Sequence, residues 1–146
     1  MYQLRKAVAA DYPELLVLWE ASVRATHHFL DPDDILFFKN IIQEHHAFSL
    51  VAITCIVDEQ NKVLGFMGIA EDKMEMLFLD PDQRGKGLGK QLMQYALKEY
   101  HITKVDVNEQ NETARRFYEN FGFTVKSRSP FDGTDKPYPI LHMELK

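Results

Sequence analysis

The sequence predicts an α/β fold in which helices cover both faces of a mixed β-sheet. Three observations carry this. Apolar alternation and helical stripes succeed one another in the order βααβββαβαββ. Three consecutive strand candidates, Phe48 to Val57, Val63 to Ala70 and Met74 to Leu79, are separated only by the turn clusters Asp58 to Lys62 and Glu71 to Lys73, which argues for an antiparallel meander. The third strand then runs through a glycine-rich turn into a helix patterned by Leu88, Leu92, Ala96 and Leu97, followed by a strand at Thr103 to Val107. That is one βαβ crossover, and it makes its two strands parallel.

The remaining elements follow from local chemistry. Tyr2 to Ala7 reads as a first strand, and Asp11 with Glu14 three residues on is a capping-box variant that opens a helix with the stripe Leu15, Leu16, Leu18, Trp19 and Val23. Asp31-Pro32 starts a second helix carried by Ile35, Phe38 and Ile42. Asn111 caps a short helix through Ala114, Phe117, Tyr118 and Phe121, and Gly122 ends it where a left-handed residue is wanted. Phe123 to Arg128 and Ile140 to Leu145 supply two last strands around the loop Ser129 to Pro139.

Size and composition bound the function. At 146 residues and 45% hydrophobic, the chain is one domain, residues 1–146, with no room for a second. Its net charge of −5 argues against a nucleic-acid partner held by a broad basic face. Cys55 is the only cysteine, so no internal disulfide forms. The longest apolar stretch, Leu50 to Val57, is too short to span a bilayer, and the N-terminus lacks the apolar run of a signal peptide. A soluble, cytoplasmic protein without a membrane partner is expected, as a monomer or homodimer.

The segment Leu77 to Lys90, LFLDPDQRGKGLGK, is the strongest functional signal. Arg84, Gly85, Gly87 and Gly89 arrive where a helix begins, so unpaired N–H groups and the positive end of the helix dipole converge on one spot. Arg84, Lys86 and Lys90 add full charges suited to a pyrophosphate. A Walker loop needs Gly-Lys-Ser/Thr, whereas Gln91 and Leu92 follow Gly89-Lys90 here. A Rossmann fingerprint needs a different glycine spacing and opens its βαβ unit. A tight strand-to-helix turn remains the alternative for the glycines alone.

The run Arg84-Gly85-Lys86-Gly87-Leu88-Gly89 resembles motif A, Arg/Gln-x-x-Gly-x-Gly/Ala, of the GCN5-related N-acetyltransferase (GNAT) family. Val107-Asn108-x-x-Asn111 with Ala114, Phe117-Tyr118 and Gly122-Phe123 resembles its motif B, and the order of elements is the family's. Ser22 to Leu30, Asn108 to Asn111 and Lys136 to Pro139 look like the bacterial YjaB-type subgroup.

The resemblance implies the GNAT acyl-CoA N-acyltransferase fold, with splayed central parallel strands and acetyl-coenzyme A as co-substrate. It also implies direct transfer of the acetyl group to a primary amine, on a small molecule or a peptidyl-lysine. Cofactor contacts are then expected at Leu77, Phe78 and Leu79 by backbone, at Arg84, Gly85, Lys86, Gly87, Leu88, Gly89 and Lys90 around the pyrophosphate, and at Asn108, Asn111 and Tyr118. Asn111 is equally a plain helix cap. Tyr118 is the expected general acid, with a half-buried packing aromatic as its alternative. Glu75 is a candidate base if buried, which would raise its pKa; an exposed strand residue paired with Lys73 is the other reading. His27, His28 and Phe29 are expected to line the acceptor pocket, or to be a solvated helix end. His142 is a wall residue, a remote base or a satisfied sheet histidine.

Neighbouring histidines point apart on a helix, so no metal is expected. Cys55, on an apolar strand, is expected to be buried and inert. A non-catalytic coenzyme A binding sensor or interaction module stays open as a rival.

Overall fold

The computed structural model describes residues 2–145, so the expected domain bounds 1 and 146 lie just outside the described residues. Seven strands form one sheet: β1 (Gln3–Lys6), β2 (Ala52–Val57), β3 (Val63–Ala70), β4 (Lys73–Leu79), β5 (Lys104–Asn108), β6 (Phe123–Ser129) and β7 (Ile140–Leu145). Four helices accompany them: α1 (Tyr12–Thr26), α2 (Pro32–Glu44), α3 (Leu88–Tyr95) and α4 (Glu112–Asn120). The spatial order is β1-β2-β3-β4-β5-β7-β6. β2, β3 and β4 are the expected antiparallel meander. β4 and β5 pair parallel across the crossover through α3, and among the described residues no other pair is parallel.

Two apolar clusters, one on each face, hold the helices to the sheet. Leu88, Leu92, Met93 and Ala96 of α3 and its continuation pack with Met67, Val105, Val107, Phe123 and Met143. On the opposite face Leu15, Leu18, Trp19 and Val23 of α1 and Ile35 of α2 pack with Ile53, Cys55, Val63 and Phe66. Each such aliphatic side chain contributes about 1.5–3 kcal/mol by leaving water. The stripes read from the sequence are therefore the buried faces of these helices.

Two local expectations give way to tertiary contacts. Asp11 and Glu14 do not form a capping box. The Asp11 carboxylate accepts two hydrogen bonds from Arg5, both 2.9 Å, and one from the Val8 amide at 2.8 Å, while Glu14 accepts from the Val63 amide at 2.9 Å. Both acids tether the start of α1, Asp11 to β1 and Glu14 to β3, because strand donors offer them better partners than their own helix does.

The strand expected at Phe48 to Val57 begins only at Ala52. His46 adopts a left-handed conformation, and Ala47–Leu50 coil into a single tight turn that inserts the Phe48 ring between Tyr12, at 5.6 Å, and Phe66, at 5.8 Å. The helix after the glycine loop ends its regular ladder at Tyr95 and widens into a π turn over Ala96–Tyr100. The caps at Asp31, whose carboxylate accepts from the Asp33 amide at 2.9 Å, and at Asn111 are as read from sequence. Gly122 takes the left-handed conformation expected of it.

Candidate active site

The glycine loop is a preformed bend. After β4, Asp80 ties the chain back, its amide donating to the Leu64 carbonyl at 2.8 Å and its carboxylate accepting from the Asp82 amide at 2.9 Å. A single turn, Pro81–Gln83, leads to Arg84 in extended conformation. Gly85 and Gly87 then take φ of 78° and 80°, where a side chain is strained, and a Cβ on either would meet nothing within 4 Å. The first bond of the α3 ladder runs from the Gln91 amide to the Gly87 carbonyl at 3.1 Å, so the amides of Leu88, Gly89 and Lys90 precede it. The Leu88 side chain itself is buried in the core. Lys86 donates to the Gln83 side chain at 3.2 Å, and Arg84 and Gly89 line the adjoining cleft. Open backbone, free amides and local positive charge fit a diphosphate.

The strands beside this loop splay. β4 and β5 pair only at Lys73 with Lys104 and Met74 with Val105. The Asp72 carbonyl pins the closed end of the V by accepting from the Thr103 amide at 2.8 Å and the Lys104 amide at 3.2 Å. β3 pairs Gly68 with Met76 and Ile69 with Met74, so Glu75 is the extra residue of a β-bulge that turns β4 away.

A cleft of about 360 Å³ runs from Arg84 and Gly89 between Leu77, Phe78 and Leu79 of β4 and Ala114, Phe117 and Tyr118 of α4, under Thr26, His27 and His28. A second cavity of about 180 Å³ fills the splay, walled by residues 74–78, Asp106 to Asn108, Asn111 and Tyr118.

Tyr118 is buried, with its ring edge-on to Phe117 at 5.5 Å and Phe123 at 6.1 Å. Burial first, and then the nearby Asp106 charge, push its phenol up to about 12, so it keeps its proton throughout the neutral range. Glu75 reaches the rim of the splay but is 39% exposed and lies 3.7 Å from Lys73. It occupies the exposed, paired position, not the buried one on which a base role rests, because the bulge swings it out of the sheet. Asn108 faces the splay, and Asn111 spends its carbonyl oxygen on the Ala114 amide at 3.2 Å.

His142 is a satisfied sheet histidine. Its Nδ1 donates to the Asp106 carboxylate at 2.8 Å and its Nε2 shares a hydrogen bond with the Ser129 hydroxyl at 2.7 Å, while Lys73 holds the other Asp106 oxygen at 2.6 Å. Cys55 is buried, and burial pushes its thiol up to about 11.

His27 and His28 both line the cleft. Phe29 stands behind them as a support, its ring 5.3 Å from His27 and 6.2 Å from Tyr138. Burial first, and then His28, hold the His27 imidazole down to about 4, so it is neutral at physiological pH. Beyond it lies a pocket of about 150 Å³ walled by Trp19, Phe38, Phe78 and Tyr138, with Asn108 and Asp132 at its polar side.

The loop at 130–139 closes this pocket through a clamp on α2. The Tyr138 hydroxyl donates to the Asp34 carboxylate, Lys136 pairs with the other Asp34 oxygen at 2.9 Å, and the Asp31 amide donates to the Tyr138 oxygen at 3.2 Å. The Tyr138 hydroxyl, and then Lys136, hold the Asp34 carboxyl below its usual range. Reasoning from sequence marked Lys136 to Pro139 only as a family likeness. That Tyr138 is a pocket wall and Asp34 its anchor depends on contacts about a hundred residues apart.

A family model matches most of the chain. The model for the acetyltransferase (GNAT) domain matches residues 24–145. The chain belongs to the GNAT family. Within GNAT, it is 36% identical over 145 residues to the peptidyl-lysine N-acetyltransferase YjaB of Salmonella typhimurium, covering 98% of this chain and 97% of that protein. Identity to YjaB of Escherichia coli is 35% over 140 residues, covering 96% and 94%.

The solution structure of apo YjaB from Escherichia coli superposes with a TM-score of 0.88 at 34% identity, over 99% of this chain and 97% of that one. The GNAT fold extends to PaiA N-acetyltransferase from Thermoplasma acidophilum, solved in complex with coenzyme A, with a TM-score of 0.74 at 22% identity over 100% and 99% of the two chains. No helix among the described residues is long and apolar enough to cross a membrane.

Proposed function

We propose that this GNAT protein transfers the acetyl group of acetyl-coenzyme A to the side-chain amine of a peptidyl-lysine, with Tyr118 as the general acid. The observation that carries the reading is a buried phenol, held protonated, on the wall shared by the cleft and the splay. The YjaB relatives, named for peptidyl-lysine acetylation, support the acceptor class.

Each group has a role that follows from its surroundings. Arg84 and the free amides from Gly85 to Lys90 hold the diphosphate, with Gly85 and Gly87 keeping the approach open. The unpaired backbone edge of Leu77, Phe78 and Leu79 takes the pantetheine amides as a neighbouring strand would. A donor N–H near Leu77 polarises the thioester carbonyl. Asn108 and the amide NH2 of Asn111 supply further polar contacts. Tyr118 donates its proton to sulfur as the thiolate departs, and a phenol that never ionises near neutral pH is always ready to do so.

The test is direct. With acetyl-coenzyme A and lysine-containing peptides, the wild-type protein is expected to release free thiol in step with peptide acetylation. Tyr118→Phe should lower kcat by roughly 10²- to 10⁴-fold while retaining coenzyme A affinity. Tight coenzyme A binding with no thiol release from any amine would favour a sensor and overturn the enzymatic reading.

A further inference from the structure

His27 and Phe78 line all three cavities of the site, the cleft, the splay and the aromatic pocket. The Thr26 hydroxyl also favours one tautomer of His27: with its proton on the Ser22 carbonyl at 2.7 Å, the same oxygen accepts from the His27 Nδ1 at 2.7 Å, and in that arrangement Nδ1 carries the hydrogen. Nε2 is then a bare acceptor.

Asp106 and Asn111 are engaged elsewhere, and Glu75 sits at the rim. Asp106 has one oxygen on Lys73 and one on His142, Asn111 has its oxygen on the Ala114 amide, and Glu75 lies exposed beside Lys73. Within the splay that leaves Nε2 of His27 and the side chain of Asn108, and an amide oxygen takes a hydrogen bond but not a proton; His28 lines the cleft but not the splay.

We propose that His27 is a catalytic residue of the transfer described above, its Nε2 accepting a hydrogen bond from the attacking primary amine and then that amine's proton. The proposal rests on the acetyl-transfer reading. As the nitrogen lone pair forms the N–C bond to the thioester carbonyl carbon, the nitrogen becomes cationic and its proton passes to Nε2. The C–S bond breaks, its electron pair leaves with sulfur, and sulfur takes the Tyr118 proton. The imidazolium then gives its proton to water, and the phenolate regains one, so amide and free thiol are the net products. The lysine leaves its ammonium proton with water before it attacks as the neutral amine, and the aromatic walls of Trp19, Phe38, Phe78 and Tyr138 receive its alkyl stem.

Acetyl-coenzyme A and Nα-acetyl-lysine amide serve as probes, with free thiol as the readout. His27→Gln keeps an acceptor but no base, so KM for the amine should stay within about threefold while kcat falls about 10²-fold. His27→Ala should lose activity that added imidazole restores, with coenzyme A affinity by calorimetry unchanged in both variants. A kcat for His27→Gln within about threefold of wild type, or a His27→Ala defect that imidazole leaves untouched, overturns the proposal. Should His27→Ala lose coenzyme A binding, His27→Gln alone decides. Wild-type turnover with these negative results sinks only the role of His27, whereas no wild-type turnover with any amine sinks the transfer reading as well.

Discussion

Replacing Gly87 with alanine separates two ways in which one strained residue can express its cost. Gly87 caps α3 at φ 80° and ψ 11°, a left-handed conformation that disfavours an L side chain by about 1–2 kcal/mol. A Cβ there would meet nothing within 4 Å, so no clash adds to this figure and no new contact subtracts from it. If the loop holds its shape, the whole cost falls on folding. At roughly 2–4 °C for each kcal/mol in a chain of this size, Tm drops by about 2–8 °C and coenzyme A affinity is unchanged.

If the loop instead relaxes, stability is preserved and the open anion site must be rebuilt on binding. Affinity then falls about five- to thirtyfold, since 1.4 kcal/mol is a factor of ten. Urea unfolding and calorimetry with coenzyme A measure the two losses, which should sum to about 1–2 kcal/mol. A Gly87→Ala protein with wild-type stability and wild-type coenzyme A affinity would refute the reasoning, because the strain would have gone nowhere.

Two further outcomes are expected. Asp11→Asn removes a carboxylate that is 12% exposed and receives three hydrogen bonds, so it should cost about 2 kcal/mol at pH 7. Arg5, through its hydrogen bond, holds the Asp11 carboxyl below its ordinary range. Its stabilisation is therefore present above the unfolded pKa near ~3.9 and lost as pH falls through the lower folded value, so the Tm gap to wild type should narrow between pH 7 and about pH 3. Tyr138→Phe removes the hydroxyl that serves both Asp34 and the Asp31 amide, at about 1–2 kcal/mol of stability in urea unfolding. It should raise KM for the amine and leave coenzyme A affinity unaltered, since the glycine loop is untouched.

Much of the site was legible because its parts are local. The glycine spacing after an apolar strand announced the bend that carries Gly85 and Gly87 at positive φ, and the order of elements placed the parallel pair beside it. Asn111 proved readable as a cap for the same reason, its partner being the Ala114 amide three residues away. Glu75 was not readable. Whether its carboxylate is buried depends on the bulge opposite Gly68 and Ile69, a register detail that strand alternation does not encode. Asp11 and Glu14 misled for a related reason: a capping pattern states which acids could close on the helix, not which distant donors will outbid it.

By itself the sequence determined the elements, their order, the two apolar faces and the glycine bend before α3, because periodicity, turn chemistry and helix termini act over a few residues. Only the tertiary structure decided which side chains face the splay. It buried Tyr118, exposed Glu75, satisfied His142 through Asp106 and Ser129, and left the His27 Nε2 bare. Those outcomes turn on desolvation and on competition for hydrogen-bond partners between residues far apart in the chain, and both are set only once the sheet has closed around them.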